Sequence, residues 1–149
     1  MKFFDREKEI ALIREIRDKS HTSARFTVIT GRRRVGKTQL IKRALADEPY
    51  LYFYVARKTE KDLCAGFQRQ IKDLLDIPVF GEIGQFEEIF RIVLEAAKKR
   101  PVTLVIDEFQ EFYRINPSVF SAMANLWDDA QKDVRLNLIV CGRRDRQPA

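Results

Sequence analysis

The stretch "TVITGRRRVGKTQLI", residues 27–41, constrains this chain more than any other. β-branched residues lead into Gly31, four residues separate it from Gly36, and Lys37 and Thr38 follow at once before an apolar tail. Gly-x-x-x-x-Gly-Lys-Thr is the pattern of a phosphate-binding loop. Its glycines let backbone N–H groups face the phosphates, its lysine reaches the β and γ groups, and its threonine hydroxyl binds Mg²⁺. Such a loop works only between a strand and a helix, because the helix N-terminus adds its dipole at the anion. The flanks meet that condition, with a strand expected at 26–30 and a helix at 37–46. The competing reading, a basic turn, accounts for the arginines but not for the two glycines and the Lys-Thr.

A loop that grips phosphate needs a partner that holds metal and activates water. "TLVIDE", residues 103–108, offers it: a short apolar run ending in two acids, at the carboxyl end of a strand where ligands sit in parallel sheets. Asp107 is the expected Mg²⁺ partner of Thr38, and Glu108, next along, the expected base for an attacking water. Alone, an apolar run followed by Asp-Glu reads equally as a strand end with an exposed acidic turn. Its pairing with the upstream loop gives it meaning.

The rest of the chain alternates between helical and strand periodicities, without repeats or low-complexity linkers. A helix is expected after Asp5, which would cap it, with Ile10, Ile13 and Ile16 inward. "LYFYVA", 51–56, reads as a second strand, and Thr59-Glu60-Lys61-Asp62 as the cap of a helix burying Phe67, Ile71, Leu74 and Leu75. A further helix runs from Phe86 to the Lys98-Lys99-Arg100 cluster and stops at Pro101. Strands follow at 102–106 and 136–141, separated by a helix opened by Asn116-Pro117. Near-continuous apolar strands between helices predict an α/β fold with a parallel sheet covered on both faces. Phe53, Tyr54, Phe109 and Phe112 are expected in the core.

A length of 149 residues with 45% hydrophobic content suits one domain. The apolar runs are too short to span a bilayer, and charge follows Met1 too soon for a signal peptide, so the chain reads as soluble and cytoplasmic with no membrane partner. Cys64 and Cys141, with His21 the lone histidine, suit neither a disulfide framework nor a zinc site; both thiols are expected reduced and structural. The net charge of +6 leaves open a nucleic-acid-binding module, but basic and aromatic residues do not interleave as base stacking requires. A small-molecule kinase shares the phosphate loop but has no use for Glu108.

"FFDREKEIALI", "VITGRRRVGKTQLI", "LVIDEFQEF" and "LNLIVCG", in this order from Phe3 to Gly142, resemble the archaeal-type ATPases of the AAA+ superclass, within the signal-transduction (STAND) ATPases. The resemblance implies a P-loop NTPase three-layer sandwich with strand order 1-4-3-2, the strand ending at Cys141 lying between the phosphate-loop strand and the Asp107 strand. It implies ATP and Mg²⁺, with ATP and ADP as partners, and a slow hydrolysis that works as a molecular switch. Gly31, Arg32, Arg33, Arg34, Val35, Gly36, Lys37, Thr38 and Gln39 are then the nucleotide-binding segment. Glu108 and Lys37 are the catalytic pair, and Thr38 and Asp107 hold the metal. Phe4, Asp5 and Arg6 carry over as contacts on the base side, although a capped amphipathic helix explains them as well.

Two departures from the family pattern stand out. Arg143 follows Gly142 where a small polar residue is usual; it could stabilise transition-state charge in cis, or residues 143–149 could form an unstructured tail. The chain also stops before the fifth core strand, lid and winged-helix region of the family, so it reads as a single core domain, with any DNA contact assigned to those regions. The phosphate-loop strand is then expected at an open sheet edge.

Overall fold

The computed structural model of the chain describes residues 3–31 and 36–143; of residues 3–6 it describes the backbone alone. Helix α1 (Phe3–Lys19) leads to strand β1 (Arg25–Gly31), helix α2 (Lys37–Ala44) and strand β2 (Leu51–Tyr54). Helices α3 (Glu60–Leu75) and α4 (Phe86–Lys99) follow, then strand β3 (Val102–Asp107), a 3-10 turn at Phe109–Glu111 and the short α5 (Phe112–Ile115). Helix α6 (Ser118–Ala130) and strand β4 (Leu136–Arg143) complete the described chain.

The four strands form one parallel sheet in the order β1-β4-β3-β2. This is the expected order, with β4 inserted between the phosphate-loop strand and the Asp107 strand. β3 is buried at every position, and so is β4 until its last two residues. Such strands must be apolar on both faces, which is why their sequences read as unbroken runs rather than alternations. One face carries Leu51, Phe53, Leu104, Ile106, Leu136, Leu138 and Val140 against α3, α4 and α6. The other carries Val105, Ile139 and Cys141 against α1 and α2.

Local chemistry sets the helix ends. Thr59, in extended conformation, accepts at its side chain from the Asp62 N–H (3.2 Å) and opens α3, which ends at Asp76 in the left-handed region (φ 55°). Asn116 is extended, and its Oδ1 accepts from the Ser118 N–H (3.2 Å) and hydroxyl (2.7 Å), while Pro117 already has helical dihedrals. The Asn-Pro pair therefore opens α6 as its sequence predicts. Glu60 ties distant elements together: its carboxylate accepts from the Phe86 N–H at the start of α4 (2.7 Å) and from Asn116 Nδ2 (2.8 Å).

Some expectations change. α1 already runs at Phe3, so Asp5 lies within the helix and does not cap it. The segment between β3 and α6, to which the sequence reading gave no element, contains the 3-10 turn and α5, which bury Phe112. Phe53 and Phe112 are core residues and Phe109 packs at the core's margin, but Tyr54 is half exposed. Leu74, expected inward, is exposed on α3. Arg143 is the last residue of β4 rather than the first of a tail; residues 144–149 lie outside the described residues. The expected open edge is present: β1 pairs with β4 on one side and with no other described strand.

Candidate functional site

Parallel strands place their carboxyl ends on one rim of the sheet, and the residues singled out in the sequence gather there. β1 delivers Gly31, β3 delivers Asp107 and Glu108, and β4 delivers Gly142 and Arg143. α2 begins at the same rim. Gly36, just before it, has φ 80°, a left-handed conformation that a glycine takes without steric cost, and its carbonyl accepts the Leu40 N–H (2.9 Å). Lys37 is 5% exposed at the first turn, which for a lysine requires partners. Arg32, Arg33, Arg34 and Val35 lie outside the described residues, as do the side chains of Phe4, Asp5 and Arg6. Gln39 is exposed on α2.

Asp107 is the centre of the constellation. It is 3% exposed, and both carboxylate oxygens carry hydrogen bonds. Oδ2 accepts from the Thr38 hydroxyl (2.9 Å), 69 residues away in sequence, and from the Tyr52 hydroxyl (2.5 Å). Oδ1 accepts from the Glu108 N–H (2.8 Å). The Asp107 carbonyl takes the Val55 N–H (3.0 Å), extending the β2–β3 pairing to the strand end. Burial, followed by the bond to Asp107, raises the Tyr52 phenol well above its usual range, so Tyr52 is a permanent donor. Burial first, and then the neighbouring Asp107 carboxylate, push the Cys141 thiol up to about 12. Burial above all pushes Cys64 to about 12 as well. Both thiols are therefore poor nucleophiles, as structural cysteines should be.

Glu108 has φ 56° and ψ 43°, a left-handed backbone at a residue with a side chain; such conformations cost energy and cluster at working sites. Its Oε1 accepts from Gln110 Nε2 (2.9 Å) and lies 3.5 Å from Arg143 Nε. Gln110 Oε1 in turn accepts the Arg143 N–H (3.2 Å). A Cβ on Gly142 would stand 2.4 Å from that same oxygen, so glycine there makes room for the Gln110 side chain to cross the end of β4. Arg143 also faces Glu111 (Nη2 to Oε2, 3.8 Å), which Arg57 and Arg114 approach as well.

The structure thus brings together Thr38, Asp107, Glu108 and Arg143, and adds Tyr52 and Gln110, which the sequence reading passed over. Tyr52 pairs in register with Val105, two residues before Asp107 on the same side of the sheet; the alternation of side chains along paired strands was the available signal. No comparable signal pointed to Gln110, whose role depends on the 3-10 turn.

As a donor set, the Thr38 hydroxyl and Asp107 carboxylate are hard oxygen ligands in contact, suited to Mg²⁺ and not to a softer metal. A second acidic group, Asp18, His21 and Glu48, has ligand atoms close enough for a cation. There Arg17 already supplies the positive charge, with Nε at 3.1 Å from Asp18 and 3.6 Å from Glu48. Among the described residues no helix is long and apolar enough to cross a membrane.

Comparison with known proteins agrees with the fold. An uncharacterised protein of Methanocaldococcus jannaschii is 27% identical over 140 residues, covering 94% of this chain and 29% of its own length. A second uncharacterised protein of that organism is 33% identical over 55 residues, covering 37% of this chain and 53% of its own. Among solved structures, the Walker-type ATPase of Pyrococcus abyssi superimposes with a TM-score of 0.61 at 19% identity, over 87% of this chain and 43% of that one. Cdc6p of Pyrobaculum aerophilum gives 0.61 at 18% identity, over 94% and 39%. The chain therefore spans under a third of the first relative and under half of either solved structure, which share its fold. The model of an ATPase domain found predominantly in Archaea matches residues 3–145, nearly the whole length, and the chain belongs to that family.

Proposed function

We propose that this chain is a STAND-type ATPase core of the AAA+ superclass that binds MgATP and hydrolyses it slowly as a molecular switch. The observation that carries the reading is the 2.9 Å contact between the Thr38 hydroxyl, in the first turn of α2, and the Asp107 carboxylate at the end of β3. Two residues 69 apart in sequence meet where a phosphate loop and a metal-holding strand should.

In this reading the loop from Gly31 to Gln39 encloses the phosphates, and the N-terminus of α2 faces them. Lys37 is the cation for the β and γ groups. Thr38 and Asp107 hold Mg²⁺, which when bound neutralises charge on the phosphate oxygens. Glu108 takes the proton from the attacking water as its oxygen bonds the γ-phosphorus and the bond to the β–γ bridging oxygen breaks, leaving ADP and phosphate. Phe4, Asp5 and Arg6 border the base from the start of α1.

A second reading, a core that holds nucleotide without turning it over, is favoured by the contacts of Glu108. A base must face the water, and here its Oε1 is engaged by Gln110 and faces Arg143. The two readings separate in one experiment: nucleotide binding and ADP release from MgATP, measured for the wild type and for Lys37→Ala, Glu108→Gln and Gln110→Ala. For the hydrolase we expect Lys37→Ala to lose binding and Glu108→Gln to bind without turnover. Retained MgATP affinity in Lys37→Ala would sink both readings. Binding by wild type and Gln110→Ala with no ADP from either would select the holding core; turnover that appears in Gln110→Ala would show that Gln110 restrains the base.

A further inference from the structure

Asp107 has a partner that a phosphate loop and an acidic strand end do not require. The Tyr52 hydroxyl donates to Oδ2, the same oxygen that takes the Thr38 hydroxyl. The phenol comes from β2, on the opposite side of β3 from β4, and it is fixed independently of the aspartate. Its backbone N–H donates to Gln70 Oε1 of α3 (3.1 Å), and its residue pairs with Val105 in the sheet. Its ring lies under Lys42 Nζ, 5.5 Å from the centroid, and Lys42 is one helical turn beyond Thr38 on α2. Tyr52 therefore joins β2, the end of β3 and the first turns of α2, the elements that carry the aspartate and the threonine.

We propose that Tyr52 is the positioning residue of the metal site: it fixes the Asp107 carboxylate so that the aspartate and Thr38 meet a divalent cation without rearranging. The physical case rests on rotational freedom. A carboxylate at a strand end can turn about its terminal bond. The Glu108 N–H restrains Oδ1, and the Thr38 hydroxyl, the group that would contact the cation, restrains Oδ2. Tyr52 supplies a restraint that persists when the threonine oxygen turns to metal. Removing a group that orients a ligand in this way typically costs about 10–100-fold in metal affinity. The inference rests on the reading of Asp107 and Thr38 as the Mg²⁺ pair and assigns that site a residue of β2.

The test uses Mn²⁺ as the probe, its free spin signal titrated with the full chain in the presence of ADP, for the wild type, Tyr52→Phe and Asp107→Asn. ADP affinity is measured separately in excess chelator. Removal of one oxygen from a half-buried ring preserves its packing, and a melting curve checks that Tyr52→Phe folds. The expected result is Mn²⁺ affinity about tenfold weaker in Tyr52→Phe, with ADP affinity in chelator unchanged, and Mn²⁺ binding lost in Asp107→Asn. Mn²⁺ affinity within about twofold of wild type in Tyr52→Phe, with Asp107→Asn still defective, would overturn the role of Tyr52 alone. An equal loss of ADP affinity in chelator would overturn it too, by making the effect one of general damage to the loop. Mn²⁺ binding that ignores Asp107→Asn would instead remove the metal pair, and the inference with it.

Discussion

The sheet has two edges, and they are finished in different ways. β2 is four residues long and alternates cleanly: Leu51 and Phe53 are fully buried beneath α3 and α4, while Tyr52 and Tyr54 face the other way. β1 is seven residues long, and its apolar side chains stay in view, with Phe26 53% and Val28 57% exposed. Phe53 stacks on Phe67 (centroids 4.2 Å apart) and meets Phe86 edge-on. Phe26 has a single described ring partner, Trp127, at 5.8 Å. Short edges with one covered face are safe in isolation, whereas a long apolar edge is a template for another strand. The difference teaches that strands of similar composition acquire opposite roles from their neighbours.

The largest effect should come from β2. Phe53→Ala removes a fully buried ring from the centre of the aromatic cluster and should cost about 3–5 kcal/mol in denaturant unfolding. Phe26→Ala on β1 should cost about 1 kcal/mol, because half of that side chain is already in water. If the two losses came out equal, the β1 edge would be covered in solution, and the contrast between the edges would fail.

That contrast marks the limit of what the sequence made legible. The strand runs, the turn chemistry at Thr59 and Asn116, and the separation of Gly31 from Asp107 by intervening helices could all be read from residue types and spacing. They are local, or follow from the crossovers that parallel strands require. The exposure of Phe26 and Val28 could not be read from β-propensity, since "RFTVITG" is as apolar as many central strands; it follows from strand order, which only the family resemblance supplied. The candidate site divides in the same way. Lys37, Thr38, Asp107 and Glu108 lie in motifs, whereas Tyr52 and Gln110 act through register and through a 3-10 turn that has no periodicity to detect.

A smaller effect sharpens the comparison at β1. Val28→Lys places a charge in the middle of the exposed edge. Since the valine is mostly in water, stability should change by no more than about 0.5 kcal/mol. Self-association should fall nonetheless, because a lysine on an edge opposes pairing with a second strand. Sedimentation at rising concentration is the measurement: wild type should show concentration-dependent association and Val28→Lys should not. Equal association in both would show that the open edge is not the adhesive surface.

The smallest predicted effect concerns how the β1 half holds its covering helix. Where the β2 half uses a cluster of rings, α1 is fastened to the end of α2 and to the α2–β2 connection by arginines as well as by Ile10 and Ile13. Arg14 Nε donates to the Ala44 carbonyl (3.0 Å), and the buried Arg17 donates from Nη1 and Nη2 to Asp47 Oδ1 and Oδ2 (2.9 and 3.3 Å). The Arg17 hydrogen bond holds the Asp47 carboxyl below the usual carboxylate range, against a weaker upward push from desolvation. A carboxyl whose folded value is depressed binds fewer protons folded than unfolded. Its contribution is therefore complete above the unfolded value, near pH 4, and is lost as pH falls through the folded one. Wild type should lose stability across that acid window, and Asp47→Asn, which cannot titrate, should show a shallower slope there with stability near neutral pH slightly reduced. Because Asp47 lies at the surface, solvent screens the pair and the change should be small, and smaller still in high salt. Unfolding free energy measured against pH for both proteins decides the point: parallel slopes would mean that the Arg17–Asp47 pair adds nothing measurable to the hold on α1, leaving the Arg14 hydrogen bond and the packing of Ile10 and Ile13 to fasten it.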